Sequence, residues 1–382
     1  MDQHNEHRPS ELKNVKVEYD GSGKRMVTCF CGEKIPYSIV PHLKKCHTSL
    51  WEDWTTTFVK LRGAGYSLRG IMRLFGSGDG KLLFSWTVIE NEIRTKVEAG
   101  KATYSPPPKK IDTWQPPDFK LERNTVWDFP KRGNWAVHTG DYRGNWPPQI
   151  PRNLILRYTR KNDLVIDAFV GGGTTLIEAW LLGRRSIGLD ISRLAIQTTE
   201  TRLAELESAQ QDKKEWKLKE RGKPRVIQGD ALYLCDELTK LGVRMGTVKL
   251  VCAHPPYLGS VRYGGDSSEN LALIKDPPVF YEKMREFAKQ VYKCLVPNGI
   301  CAILIGDVRK KGILEPLGLR TMDSFLAENF SLENIIIKTQ HQDMSSEFYY
   351  QKDNVGLLIA HEYLLIFSNQ KKLMNSNKHR FY

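Results

Sequence analysis

The stretch "DLVIDAFVGGGTTLIEAWLLGRRSIGLDIS", residues 163–192, reads as a strand, a glycine-rich turn, a helix and a second strand. A run of apolar residues gives way to Gly171, Gly172 and Gly173, where the backbone can bend sharply and come close to a ligand. Thr174 and Thr175 then open a helix, and the second strand ends in Asp190. A carboxylate at that place can accept hydrogen bonds from paired hydroxyls, as the acid of dinucleotide sites does from a ribose. The alternative for the turn alone is a tight bend that holds no ligand.

Outward from this unit, further apolar runs follow: "PRVIQGD", "VKLVCAHP", "ICAILIGDV", "ENIIIKTQ" and "EYLLIFSN". Helical patterns lie between them in "TTLIEAWLLG", "LAIQTTETRLAELESAQ", "VFYEKMREFAKQVYKCL" and "LRTMDSFLAENF". Strands alternating with helices predict an α/β fold, a seven-stranded, mostly parallel, doubly wound Rossmann-like sheet over residues 126–370. Ligands of such sheets bind beyond the carboxyl ends of the strands. Before it, residues 101–125 contain "YSPPPKKIDTWQPPDFK", a stiff proline-rich linker. Residues 1–50 and 51–100 form a small N-terminal α/β or helical recognition region, and residues 371–382 a polar tail.

The chain has 382 residues, room for two or three domains, with 40% hydrophobic and 26% charged residues. Its net charge of +13 favours a polyanionic partner such as nucleic acid. No apolar run is long enough to span a membrane, and the polar N-terminus carries no signal-peptide core. Of the seven cysteines, those at 235, 252, 294 and 301 sit in apolar contexts, which points to a reducing cytoplasmic setting without disulfides.

Two more segments bear on ligand binding. "GDA", residues 229–231, ends the third strand, with Asp230 able to bind an adenine amino group or else to stand as a solvated turn acid. "PPQIP", residues 147–151, precedes the first strand. The fourth strand runs into "HPPY", His254–Tyr257, where two prolines impose a rigid extended turn.

Taken together, "PPQIP", "DAFVGGGTT", "GLDIS", "GDA" and "HPPY" resemble the S-adenosylmethionine-dependent methyltransferases that modify exocyclic amino groups of DNA bases. The resemblance covers residues 127–370. It implies that Asp167, Phe169 and the glycines Gly171, Gly172 and Gly173, through Thr174 and Thr175, wrap the methionine part of the cofactor. Asp190 would hold the ribose, Asp230 and Ala231 would lie by the adenine, and Pro148, Gln149 and Pro151 would close over the cofactor. The chain has no long insertion between "GDA" and "HPPY", where many relatives carry a large recognition domain.

An aromatic amino group is a poor nucleophile, because its lone pair is delocalised into the ring. A rigid turn that draws its protons into hydrogen bonds works by positioning. The resemblance implies that His254 and the Pro255 carbonyl accept the two amino hydrogens, while Pro256 and Tyr257 complete the turn and Tyr257 stacks on a base flipped from the helix. Family members more often carry Asp, Asn or Ser where His254 stands. A neutral imidazole can accept through one nitrogen only, so one tautomer must be chosen. The plainer reading makes His254 a scaffold and leaves the work to Pro255. The expected target is cytosine N4 ahead of adenine N6. Methylation at cytosine C5 would need a thiolate, and Cys252 lies on a strand expected to be buried. Arg262 and Tyr263 are expected on a loop over base or backbone, and Phe348, Tyr349 and Tyr350 either stack on bases or pack a long hairpin.

In the N-terminal region, "TCFCGEKIPYSIVPHLKKCH", residues 28–47, resembles a small zinc finger. Cys29, Cys31 and His42 would be ligands, with His47 or Cys46 as the fourth; the alternative is free thiols in a hairpin. "WEDWTTTFVKLRGAGYSLRGIMRLFG", residues 51–76, resembles a helix-turn-helix with Arg69 and Arg73 facing outward to DNA, or else a helical pair that braces the larger domain. The leading expectation is a site-specific methyltransferase of double-stranded DNA, with a cognate restriction endonuclease as a partner. The alternatives are an RNA amino-methyltransferase and a DNA-binding regulator with an inactive core.

Overall fold

The computed structural model describes residues 9–211, 222–258, 271–310, 313–341 and 357–370. The chain divides into two compact units, Met1–Pro108 and Lys109–Tyr382.

In the first unit, β1 (Lys16–Tyr19), β2 (Arg25–Thr28) and β3 (Lys34–Pro36) form an antiparallel meander. Four helices follow: α1 (Val40–Cys46), α2 (Thr48–Gly63), α3 (Leu68–Leu74) and α4 (Trp86–Glu98). Helix α2 turns Trp51, Trp54 and Phe58 to one side, where they meet Phe75 and Phe84; the Phe58 and Phe75 centroids are 4.7 Å apart. Serines at the N-termini set the starts of the later helices. Ser67 accepts from the Gly70 N–H and Ser85 from the Val88 N–H.

The second unit is built on an eight-stranded sheet. Its strands in chain order are β4 (Val126–Trp127), β5 (Leu164–Asp167), β6 (Arg185–Asp190), β7 (Arg225–Gln228), β8 (Val248–Ala253), β9 (Leu295–Ile305), β12 (Ser331–Thr339) and β13 (His361–Ser368); β10 (Val308–Lys310) and β11 (Ile313–Glu315) form a separate hairpin. Across the sheet the order is β4-β12-β13-β9-β8-β5-β6-β7. The seven expected strands are all present. The eighth, β4, is a two-residue edge too short to leave a periodic trace in the sequence. The block from β7 to β9 is parallel, as expected, but β13 runs antiparallel to both β9 and β12, so the sheet is mixed.

Side chains alternate between the two faces of the strands. Ile166, Val251, Ala253, Cys301, Ile303 and Leu365 pack with Phe280, Met284 and Phe287 of α9 (Pro277–Cys294), with α8 (Leu234–Lys240) and with α10 (Leu317–Leu326). Val165, Leu250, Cys252, Ala302 and Leu364 pack instead with Ile150 and Leu154 of α5 (Gln149–Tyr158). On that same side, α6 (Thr174–Leu181) and α7 (Arg193–Gln211) enclose a further core with Val170 and Trp135. Strands buried on both faces explain the near-continuous apolar runs. Among the described residues, no helix is long and apolar enough to cross a membrane.

Candidate active site

The parallel strands β7, β6, β5 and β8 lie side by side, so their carboxyl ends meet along one edge. Phe169 and Gly171 follow β5, Asp190 ends β6, Asp230 and Ala231 follow β7, and His254 and Pro256 follow β8. All seven line one open cleft of about 590 Å³. Tyr142, Arg143 and Gly144 close it from a loop ahead of α5, with Ile191 and Leu271.

The three glycines of the turn have different surroundings. Gly171 lies on the cleft at φ +50°, and its N–H donates to Asp190 Oδ2 at 3.0 Å, so turn and acid are tied together. A Cβ on Gly172 would fall 2.3 Å from Nη1 of Arg202. That buried arginine donates to the Gly172 carbonyl at 2.5 Å and also contacts Asp141, stapling the turn to the loop that closes the cleft. Gly173, at φ +80°, starts α6. Thr174 donates to Asn145 of the same loop at 2.5 Å, and Thr175 is buried.

The acids are held by backbone. Asp190 Oδ1 accepts from the Ser192 N–H at 2.9 Å and Asp230 Oδ1 from the Leu232 N–H at 2.9 Å. Asp167 lies at the end of β5 outside the cleft lining; burial pushes its carboxyl up to about 7, against the N–H of Phe169, which it accepts at 3.1 Å. Pro148, Gln149 and Pro151 are also outside the lining. They start α5, where Gln149 joins the Gly133 N–H to the Lys131 carbonyl.

The turn after β8 has a specific architecture. Pro255 is buried, whereas His254, Pro256 and Tyr257 are partly exposed. The His254 ring stacks on Trp146, with centroids 5.9 Å apart and planes at 21°. Its Nε2 lies 2.9 Å from the Tyr257 hydroxyl, which donates to Glu362 Oε1 at 2.6 Å. Lys338 of β12 holds the other oxygen of Glu362 at 2.9 Å. Burial would raise the Glu362 carboxyl, but Lys338 and then His254 hold it below its ordinary value, so it is an acceptor only. The single phenolic proton is committed to Glu362, and Nε2 of His254 must therefore donate to the Tyr257 oxygen. Burial, opposed by Glu362, lowers the His254 pKa and keeps the ring neutral. A neutral ring with Nε2–H carries its lone pair on Nδ1, an atom buried in this structure, and the Gly144 backbone also meets the ring and favours its protonated form. Cys252 is buried on β8, and burial lifts its thiol well above the ordinary range, away from the thiolate a carbon nucleophile requires.

Sequence reasoning missed Tyr142–Gly144, Trp146, Arg202, Lys338 and Glu362. A signal existed for Glu362, a charged residue that leads into the apolar run "YLLIF", a placement that asks for a partner. Arg262, Tyr263, Phe348, Tyr349 and Tyr350 lie outside the described residues.

In the first unit, the ligand atoms of Cys29, Cys31, His42 and His47 all lie within 4.8 Å of one another. Cys46 is exposed and falls in a different group, with Glu33 and His42. Arg69 and Arg73 are both exposed on α3.

A family model described as DNA methylase matches residues 74–201 and 248–381. The Type II methyltransferase M1.MboII of Moraxella bovis is 30% identical over 213 residues, which are 50% of this chain and 77% of that protein. The Type II methyltransferase M.MjaII of Methanocaldococcus jannaschii is 32% identical over 88 residues, 22% of this chain and only 17% of its relative. Among solved structures, TrmN from Thermus thermophilus aligns with a TM-score of 0.36 at 17% identity, over 60% of this chain and 50% of that one.

Proposed function

The chain belongs to the S-adenosylmethionine-dependent DNA methylases that modify base amino groups, and we propose that it methylates an exocyclic amino group in double-stranded DNA, with cytosine N4 as the target. One observation carries this reading. Phe169 and Gly171 of the glycine turn, Asp190, Asp230, and His254 and Pro256 of the His-Pro-Pro-Tyr turn line a single cleft, whereas Gly172, Gly173, Pro255 and Tyr257 lie outside its lining.

The residues present suit the cofactor. Gly171 lines the cleft where a Cβ would press on the Tyr142 ring at 3.2 Å, and the carboxylates of Asp190 and Asp230 lie at the ends of neighbouring strands. Phe169 and Gly171 would hold the methionine portion, Asp190 the ribose hydroxyls and Asp230, with Ala231 beside it, the adenine. S-adenosylmethionine supplies an electrophilic methyl on sulfonium.

The remaining work falls to the protein. His254 Nδ1 is buried in this structure, so the base must displace what covers it before the lone pair accepts one amino hydrogen, which keeps the nitrogen lone pair aimed along the line of attack. The Pro255 carbonyl takes the second hydrogen, and the Tyr257 ring receives the face of the flipped base. The proton released on transfer goes to His254. Trp146 and the Tyr257–Glu362–Lys338 chain hold the imidazole in orientation and tautomer throughout.

The first unit would contact DNA through Arg69 and Arg73, in keeping with the net charge of +13. The curated relatives are Type II methyltransferases, which supports a role as modification partner of a restriction endonuclease. The test is transfer of labelled methyl groups to duplex DNA, tRNA and rRNA, followed by nucleoside analysis. N4-methylcytosine in DNA is the expected product. N6-methyladenine would overturn the choice of base, and label confined to RNA would overturn the choice of nucleic acid.

A further inference from the structure

We propose that Cys29, Cys31, His42 and His47 bind one zinc ion, and that Glu33 orients His42 for it. The inference concerns the first unit alone and stands whatever the second unit methylates.

The geometry is that of an S₂N₂ tetrahedron. Zinc bonds of about 2.3 Å to sulfur and about 2.0–2.1 Å to nitrogen imply edges of roughly 3.3–3.8 Å. His42 Nε2 stands 3.4 Å from Cys31 Sγ, and His47 Nε2 stands 3.8 Å from Cys29 Sγ. Thiolate with imidazole in a closed set of four is the donor chemistry that selects zinc.

The sequence spacing, with one residue between the cysteines, is shorter than usual for a finger. The fold accommodates it. The Gly32 N–H donates to the Cys29 carbonyl at 2.8 Å and Gly32 sits at φ +90°, so the chain reverses within the motif and both sulfurs face the histidines. His42 comes from α1, and His47 stands between α1 and α2. The ion thus ties the turn between β2 and β3 to a helical junction.

Two observations separate this site from a chance cluster of thiols. Glu33 Oε2 lies 3.2 Å from His42 Nδ1, which requires the proton on Nδ1 and directs the lone pair of Nε2 toward the sulfurs. Metal-bound histidines are held by a carboxylate in this way. The meander also has little core of its own: of the eleven residues in its three short strands, only Val17 and Val27 are buried. Small modules of this kind need a staple.

The experiment uses the full chain purified without chelators. Elemental analysis should find about one zinc per chain. Replacement by cobalt should give the visible absorption of a tetrahedral thiolate site. Cys29→Ser and His47→Ala should each lose the metal, whereas Cys46→Ser should keep it. Glu33→Gln should keep it with affinity lower by about 10- to 100-fold, measured by competition with a chromophoric chelator. Wild-type protein that holds no zinc and takes up cobalt without that spectrum would overturn the proposal, even if the cysteine variants do not fold. Loss of metal from Cys46→Ser would overturn the ligand set.

Discussion

The Tyr257 hydroxyl reaches Glu362 across 2.6 Å, joining the turn after β8 to a strand more than a hundred residues further along the chain. Under the proposed mechanism the link selects which nitrogen of His254 accepts. Tyr257→Phe keeps the ring but releases the tautomer. Turnover should fall by about tenfold while S-adenosylmethionine affinity stays near wild type, because the lost bond acts on the attacking geometry. His254→Ala removes the acceptor itself and should cost about 10²- to 10⁴-fold in single-turnover rate. Near-normal rates for His254→Ala would hand the chemistry to the Pro255 carbonyl.

The acid side of the pH profile follows from the same ring. Burial lowers the His254 pKa, with Glu362 opposing. Protonation fills Nδ1, so activity is present above the folded pKa and is lost as pH falls through it. The limb should lie below the ordinary value of about 6.5. Single-turnover rates from pH 5 to 8 would locate it. A limb above that value, or one that persists in His254→Gln, would assign it to another group.

The glycine turn offers a separation of effects. Gly171→Val places a side chain on the cleft wall at a positive φ and should weaken cofactor binding by about 10- to 100-fold or more, read by calorimetry. Gly172→Ala meets the Arg202 guanidinium instead. Its main cost should be about 1–3 kcal/mol of stability in a denaturant titration. The reverse pattern would exchange the roles of the two positions.

Glu178 is fully buried, and its carboxylate accepts from Trp135 Nε1 at 2.6 Å, from His138 Nε2 at 2.7 Å and from Arg152 Nη1 at 2.8 Å. Burial lowers the His138 pKa, so the charge in this pocket is carried by Arg152 against Glu178. Glu178→Gln should cost about 3–5 kcal/mol, because the arginine is left buried without its counter-charge. A loss under 1 kcal/mol would mean that water reaches the guanidinium.

Much of this arrangement was legible before any coordinates. Strands buried on both faces leave β-branched runs, and all seven such runs became strands. Asp190, Asp230 and His254 were readable because each ends its strand or lies within two residues of its end. Helix α5 was not read, because "PPQIP" looks like a loop although Pro151 sits in the first helical turn, where proline is tolerated. Tyr142, Arg143 and Gly144 come from an irregular loop with no period to detect. The expectation for Tyr257 concerned its ring; the structure adds a role for its hydroxyl that depends on Glu362, and sequence spacing alone cannot bring those two together. For the proposed metal ligands, spacing left His47 and Cys46 open, and the fold groups His47 with the other three.

Strand β13 lies between β9 and β12 although it is the last of the sheet in chain order. Closure of the sheet therefore depends on residues 361–368, because β9 and β12 are joined only through β13. The same strand carries Glu362, so the partner of the Tyr257 hydroxyl comes with the strand that joins the two parts of the sheet. A chain cut before residue 361 would therefore lose, in one stroke, the middle of its sheet and the carboxylate that meets the Tyr257 hydroxyl.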